Sequence, residues 1–380
     1  MNHNFDNIRS LNDSEVESTI HDLLNDNHFK VAAEQFIYPF TWEQLVAMMQ
    51  PCKTVKEFQH KVIVPVLTQL IQKTTTETKG LHWEKAKMGG SHVFISNHRD
   101  IVLDAAFLNV LSAMNVLETT EIAAGDNLLA FPWIEKLMRL NKTFIVKRGV
   151  GVRQILEESK HLSHYIYDTV CNRQQSVWIA QREGRAKDSD DKTQTAMLKM
   201  LSLHNNAHTL QTLKELNIVP LAITYELDPT DYLKAKEFQQ KRDNPEHKKT
   251  KTDDVMNMMT GMMGFKGRIY FVFGDCINPA LDIIPKETPK GELLEKVARI
   301  IDHEIYKNYM FFAFNYIAYD LMTNTKHFAS KYTDEDRAEF EAYLQGQIEK
   351  IDLPNKDVDF LRSKIIEMYG NTLKNHLTTK

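Results

Sequence analysis

The chain has 380 residues, 42% hydrophobic and 26% charged, with a formal net charge of −4 at pH 7. This length is ample for a proper core in two or three domains, and the apolar share is that of a globular rather than a disordered chain. Net acidity argues against nucleic acid as the main partner, and three scattered cysteines (Cys52, Cys171, Cys276) without metal-ligand spacing fit a reducing cytoplasm.

Met1 to Asp6 has no basic region followed by an apolar run, so no secretory signal is expected. Apolar spacing through Val16, Ile20, Leu23 and Leu24, and again through Phe58, Val62, Val66, Leu67, Leu70 and Ile71, predicts a helical amino-terminal domain over residues 1–78. From His92 the pattern changes to short β-type runs separated by helical segments. The expected strands are His92 to Ile95, Glu121 to Ala124, Thr143 to Val146, Ser176 to Ala180, Ile218 to Tyr225 and Arg268 to Phe273. Such alternation predicts an α/β fold, a mixed and largely parallel sheet flanked by helices, over residues 79–285. Residues 286–380 return to helical spacing and are expected to form a helical carboxyl-terminal extension.

Three segments within this frame stand out. Lys241 to Asp254 is rich in Lys and Asp and reads as an exposed insertion. Met256, Met258, Met259, Met262, Met263 and Phe265 form a run that suits an irregular apolar surface: an ordinary core, an acyl-chain tunnel or a lipid contact. The most apolar stretch, Met310 to Met322, is broken by Asn315 and Asp320, and nothing approaches the ~20 apolar residues that span a bilayer. A cytoplasmic protein, free or peripheral on a membrane surface, is therefore expected.

The chemistry-bearing stretch is Ser96-Asn97-His98-Arg99-Asp100-Ile101-Val102-Leu103-Asp104, directly after a strand-like run and before the helix-forming segment Ala105 to Met114. That places His98 at the carboxyl end of a strand, where open α/β sheets bind their ligands. A neutral imidazole can take a proton from an alcohol, and a carboxylate on its other nitrogen fixes the tautomer and supports the imidazolium. His98-Arg99-Asp100 also spells the start of a kinase catalytic loop. That reading fails because Ala105 stands where the kinase motif needs Asn, no Asp-Phe-Gly follows, and no Gly-rich loop precedes.

Lys147 and Arg148 follow one predicted strand, and Arg185 and Lys187 follow another. A parallel sheet brings both pairs to the edge that carries His98, where four cations can hold a phosphate dianion. Gly125-Asp126-Asn127 is a turn signal between strand and helix, and Asn127 is a candidate for shaping the acceptor pocket. Glu226 is a weaker candidate for a substrate hydroxyl.

Four segments together resemble the glycerolipid acyltransferases. His98 to Asp104 resembles their His-x4-Asp motif, Gly125-Asp126-Asn127-Leu128 through Phe144-Ile145-Val146-Lys147-Arg148 their second block, Glu183-Gly184-Arg185 their third, and Val219-Pro220-Leu221-Ala222-Ile223-Thr224-Tyr225-Glu226 their fourth. His98-Arg99 and the Tyr225-Glu226 ending favour the glycerol-3-phosphate acyltransferase branch. Two departures stand: five residues rather than four separate His98 from Asp104, which leaves Asp100 as a possible substitute, and Arg185 follows Gly184 directly.

The resemblance implies catalytic His98 and Asp104, and substrate contacts from Arg99, Asn127, Lys147, Arg148, Glu183, Gly184, Arg185 and Lys187, with no metal and no cofactor. The implied reaction moves a fatty acyl chain from acyl carrier protein or coenzyme A to the primary hydroxyl of sn-glycerol-3-phosphate, without an acyl-enzyme. Oxyanion donors are expected from backbone amides near the start of the helix after the motif. Lysophosphatidate or aminolipid acceptors, and a catalytically silent lipid-binding protein of the same fold, are the alternative readings.

Overall fold

A computed structural model describes residues 4–149 and 151–380, the side chains of residues 152, 153 and 251 excepted. Its centre is a seven-stranded sheet: β1 (Glu77–Leu81), β2 (Val93–Ser96), β3 (Glu121–Gly125), β4 (Thr143–Val146), β5 (Val177–Ala180), β6 (Val219–Tyr225) and β7 (Arg268–Phe273). The spatial order is β1-β7-β6-β2-β5-β3-β4. Strands β6, β2, β5, β3 and β4 run parallel. Strand β7 is antiparallel to β6, and β1 lies parallel to β7 at the edge.

The sheet is mixed and largely parallel, as its sequence pattern predicts. Both faces are covered, which is why these strands read as continuous apolar runs rather than as alternating ones. On one face Val93, Ile95, Val177 and Ile179 pack with Tyr165 and Ile166 of the helix Val152–Tyr167 and with Val297 and Ile301 of the helix Lys290–Lys307. On the other, Phe94, Trp178, Leu221, Ile223 and Phe271 pack with Leu103, Phe107, Leu108 and Leu111 of the helix Leu103–Met114.

The amino-terminal helices bury Val16, Ile20, Leu23, Phe29, Leu45, Met49, Phe58 and Val62 in a separate core that they share with Leu140 of the helix Pro132–Leu140. Ahead of them, Ile8 accepts from the Ile145 amide at 2.8 Å, covering the free edge of β4. At the other end, the helices Ala313–Thr323, Asp334–Glu349 and Val358–Leu377 close around Ile317, Phe340, Leu344, Leu361, Ile365 and Tyr369. Among the described residues no helix is long and apolar enough to cross a membrane.

Two differences from the sequence reading have physical causes. Strand β1 was not expected because Glu-Thr-Lys-Gly-Leu lacks β-branched alternation; it forms as an edge strand zipped onto β7. The segment Lys241 to Asp254 is exposed over most of its length, as its composition implies, but it is tied into two helices rather than standing apart. It holds the end of the helix Asp231–Asp243 and the start of the helix Lys251–Met263, and Glu237 draws it in through Lys241 (2.9 Å) and Lys249 (2.8 Å).

Candidate active site

The parallel strands bring their carboxyl ends to one edge, and β2 sits between β6 and β5 at its centre. There the chain leaves the sheet under tight control. The Asn97 amide accepts from Ile223 N and donates to Ile223 O, both at 2.8 Å, tying the end of β2 to β6. Trp178 Nε1 donates to Ser96 Oγ at 3.0 Å, and its ring lies edge-on to His98 at 5.7 Å.

His98 Nδ1 lies 2.8 Å from Asp104 Oδ2. The same oxygen accepts the Arg99 amide at 2.6 Å and the Asp100 amide at 3.1 Å. Asp104 is fully buried in the first turn of the helix Leu103–Met114, where the helix dipole favours a negative charge. A carboxylate that accepts from Nδ1–H leaves the lone pair on Nε2, and the His98 side chain keeps 13% of its surface exposed. This is the arrangement of a general base with its orienter.

The extra residue in the loop is accommodated by Asp100. Its Oδ1 accepts the Val102 and Leu103 amides at 2.9 and 2.8 Å, capping the helix. Its other oxygen packs on Gly261, where a Cβ would stand 2.1 Å away. Burial, then the neighbouring Asp104 charge, pushes the Asp100 carboxyl above the usual carboxylate range. The carboxylate at hydrogen-bond distance from His98 is thus Asp104. The amides of residues 99, 100, 102 and 103 are engaged by these two carboxylates, so these four are not free to hold an oxyanion.

Tyr225, at the end of β6, reaches the same cluster. Burial, then the charge of Asp104, holds its phenol well above its ordinary value, so it stays neutral. Its hydroxyl and Asp104 Oδ1 are both buried without a well-aligned hydrogen bond.

The basic residues fall into three arrangements. Arg185 is partly buried and, among the described residues, hydrogen-bonds neutral groups, Thr230 Oγ1 and Asn257 Oδ1, both at 3.2 Å, while its charge acts on nearby Asp100 and Asp228. Arg148 stands over the end of β3, 3.5 Å from the exposed Glu183, and its guanidinium and Asn127 Oδ1 both crowd Gly125, where a Cβ would be 2.7 Å from Arg148 Nε and 2.4 Å from Asn127 Oδ1. Gly184, at φ +68°, makes the left-handed turn that separates Glu183 from Arg185.

Lys147 and Lys187 are committed to carboxylates instead. Lys147 pairs with Glu158 at 3.2 Å. Lys187 pairs with Glu237; burial lowers the Lys187 pKa to about 8 despite that partner. Burial alone would raise Glu237, but Lys187, Lys249 and Lys241 overcome it and hold that carboxyl at about 2. Arg99 is the most deeply committed: its side chain is 7% exposed and its guanidinium bonds Asp191 through both terminal nitrogens. Burying two charges is tolerated when each fully satisfies the other, and that pairing occupies the Arg99 guanidinium.

Asp191, Asn257, Trp178 and Tyr225 are not among the site residues the sequence predicts, Tyr225 entering there only as the ending of the fourth block. Asp191 sits in the acidic run Asp188-Ser189-Asp190-Asp191, which reads as solvated loop. Asn257 hides among methionines. Among the described residues no group of three or more His, Cys, Asp or Glu side chains is arranged to hold a metal ion.

A family model described as Acyltransferase matches residues 77–224, less than half of the chain but all of β1 to β5 and most of β6, with His98, Asp104 and Arg185 inside it. Among solved structures, the 1-acyl-sn-glycerophosphate (LPA) acyltransferase PlsC from Thermotoga maritima is 13% identical, with 75% of this chain and 95% of that chain covered at a TM-score of 0.36. No curated protein sequence matches.

Proposed function

We propose that this protein is an O-acyltransferase that moves a fatty acyl chain from the thioester of acyl carrier protein or coenzyme A to the primary hydroxyl of sn-glycerol-3-phosphate. The observation that carries this reading is the 2.8 Å pairing of His98 Nδ1 with buried Asp104, at the carboxyl end of β2, within the segment that matches the acyltransferase model.

In this reading His98 Nε2 removes the proton from the acceptor hydroxyl as the oxygen attacks the thioester carbonyl. Asp104 supports the imidazolium that forms. The tetrahedral intermediate collapses by breaking the carbon–sulfur bond, and His98 returns the proton to the departing thiolate. No side chain need carry the acyl group, because the acceptor brings its own nucleophile.

Arg185 is the favoured phosphate ligand, since its partners are neutral and yield more readily than a carboxylate. Arg148 is the second candidate, because its carboxylate partner Glu183 is exposed at 3.5 Å, a weak surface pair. One observation favours a second acceptor, lysophosphatidate, which carries the same phosphate on a lipid tail. Val255 and Met256, 40% and 52% exposed, stand beside Asn257, which holds Arg185.

The test is steady-state acyl transfer to sn-glycerol-3-phosphate, lysophosphatidate and their dephosphorylated counterparts, with wild type and Arg185→Ala. Arg185→Ala should raise the KM for the phosphorylated acceptor ~10–100-fold and leave the dephosphorylated one little changed. Equal loss for both acceptors would remove Arg185 from the phosphate, and preference for lysophosphatidate would select the second reading.

A further inference from the structure

The residue next to the catalytic histidine has all three of its polar handles fixed. The Arg99 amide donates to Asp104 Oδ2, the oxygen that also receives His98. The Arg99 carbonyl accepts from the buried Lys234 ammonium at 3.4 Å, and that ammonium is itself paired with Asp228. The Arg99 guanidinium grips Asp191 at 2.6 and 3.3 Å.

Asp191 is held in turn by the carboxyl-terminal extension. Tyr309 donates to its Oδ2 at 2.7 Å and sets its ring 5.8 Å from the Arg99 guanidinium, while the Tyr306 hydroxyl donates to the Asp191 backbone oxygen. Both tyrosines lie at the end of the helix Lys290–Lys307 or just beyond it, outside the segment that matches the acyltransferase model.

A buried ion pair is a costly way to gain stability, because desolvation offsets most of its attraction. It does fix geometry, since a bidentate guanidinium–carboxylate contact allows one orientation. A shift of Arg99 would move its amide away from Asp104 and with it the oxygen that orients His98. We propose that Asp191 and Tyr309 are positioning residues that hold the His98–Asp104 pair through Arg99, so that the carboxyl-terminal extension is part of the catalytic unit. This rests on the reading of His98 as the general base of acyl transfer.

The experiment compares the full-length wild type with Tyr309→Phe and with the double variant Arg99→Met/Asp191→Leu, which removes the pair without stranding a charge. Acyl transfer to sn-glycerol-3-phosphate is assayed beside far-ultraviolet circular dichroism and the proton NMR signal of His98 Nδ1–H, assigned by its loss in His98→Ala. Supporting partners of a catalytic group typically contribute ~10–100-fold in activity. Tyr309→Phe should lower kcat about tenfold and the double variant about a hundredfold, at unchanged KM for donor and acceptor, with the Nδ1–H signal broadened in both.

An unchanged kcat and an unchanged signal in an active, folded Tyr309→Phe would overturn the inference. So would a raised acceptor KM at constant kcat in the double variant, which would put Arg99 on the substrate. If the double variant does not fold, Tyr309→Phe decides, because it loses one hydroxyl and keeps its ring. A wild type without His98-dependent turnover refutes the acyl-transfer reading, and the NMR signal then still decides whether Tyr309 holds the pair.

Discussion

Asp231 offers a stability test whose size follows from its surroundings. It is fully buried at the start of the helix Asp231–Asp243, where Oδ2 accepts from Tyr343 at 2.7 Å and Tyr369 at 3.0 Å, and Oδ1 from Gln347 at 2.6 Å. These partners belong to the carboxyl-terminal helices, so the carboxyl is a clasp between them and the helix Asp231–Asp243 that follows β6. Burial, then the charge of Asp228, lifts its pKa from 3.8 to about 7, even though the two tyrosines pull it down.

For an acid whose native pKa is raised, the native state binds more protons than the unfolded state between those two values. Stability therefore falls as pH rises from about 4 to about 7, and the full penalty remains above pH 7. A difference of roughly three units corresponds to ~4 kcal/mol. Asp231→Asn removes the ionisation and keeps most acceptors, at a cost of ~1–2 kcal/mol for a hydrogen bond that must reverse its direction. The variant should thus be more stable than wild type by ~2 kcal/mol at pH 8 and less stable at pH 4.5. Urea unfolding followed by far-ultraviolet circular dichroism suits this test, because no tryptophan lies in the carboxyl-terminal helices. An Asn variant less stable than wild type at both pH values would refute the argument.

The remaining predictions concern the site and its support. Asp104→Asn should lower kcat by ~1,000-fold or more, since the amide favours the wrong imidazole tautomer, while Asp100→Asn, which keeps an oxygen for the Val102 and Leu103 amides, should stay within ~10-fold of wild type; equal effects would show that the extra loop residue lets either carboxylate serve. Gly261→Ala should destabilise by ~1–3 kcal/mol in thermal or urea melts, because Asp100 is pinned by two amides and cannot yield to the added methyl. Phe107→Ala, fully buried on the sheet-facing side of the helix Leu103–Met114, should cost ~3–5 kcal/mol in the same melts, and a change within ~1 kcal/mol would mean the layer between that helix and the sheet is not close-packed.

What the sequence made legible was governed by local signals. Thr143 to Val146 and Arg268 to Phe273 are strands at the bounds their apolar runs imply, and the other expected strands lie within a residue of theirs. Those runs are readable because both sheet faces are buried. Strand β1 was illegible because its stability comes from β7, 191 residues away at Glu77↔Arg268, and not from its own side chains. At the site, the strand, loop and helix around His98 could be read because they are contiguous. The pairing of Arg99 with Asp191, and of Lys187 with Glu237, could not, since an ion pair between distant segments leaves no periodicity in either. The same holds for Asp100: its spacing to His98 suits an orienter, and only the three-dimensional turn gives it to the Val102 and Leu103 amides.

The most direct test of the account is thiol release from a long-chain acyl-carrier-protein or acyl-coenzyme A thioester, with and without sn-glycerol-3-phosphate, for wild type and His98→Ala. Release should require both the acceptor and His98. Release that persists in His98→Ala, or no release from either donor with any phosphorylated acceptor, would contradict it.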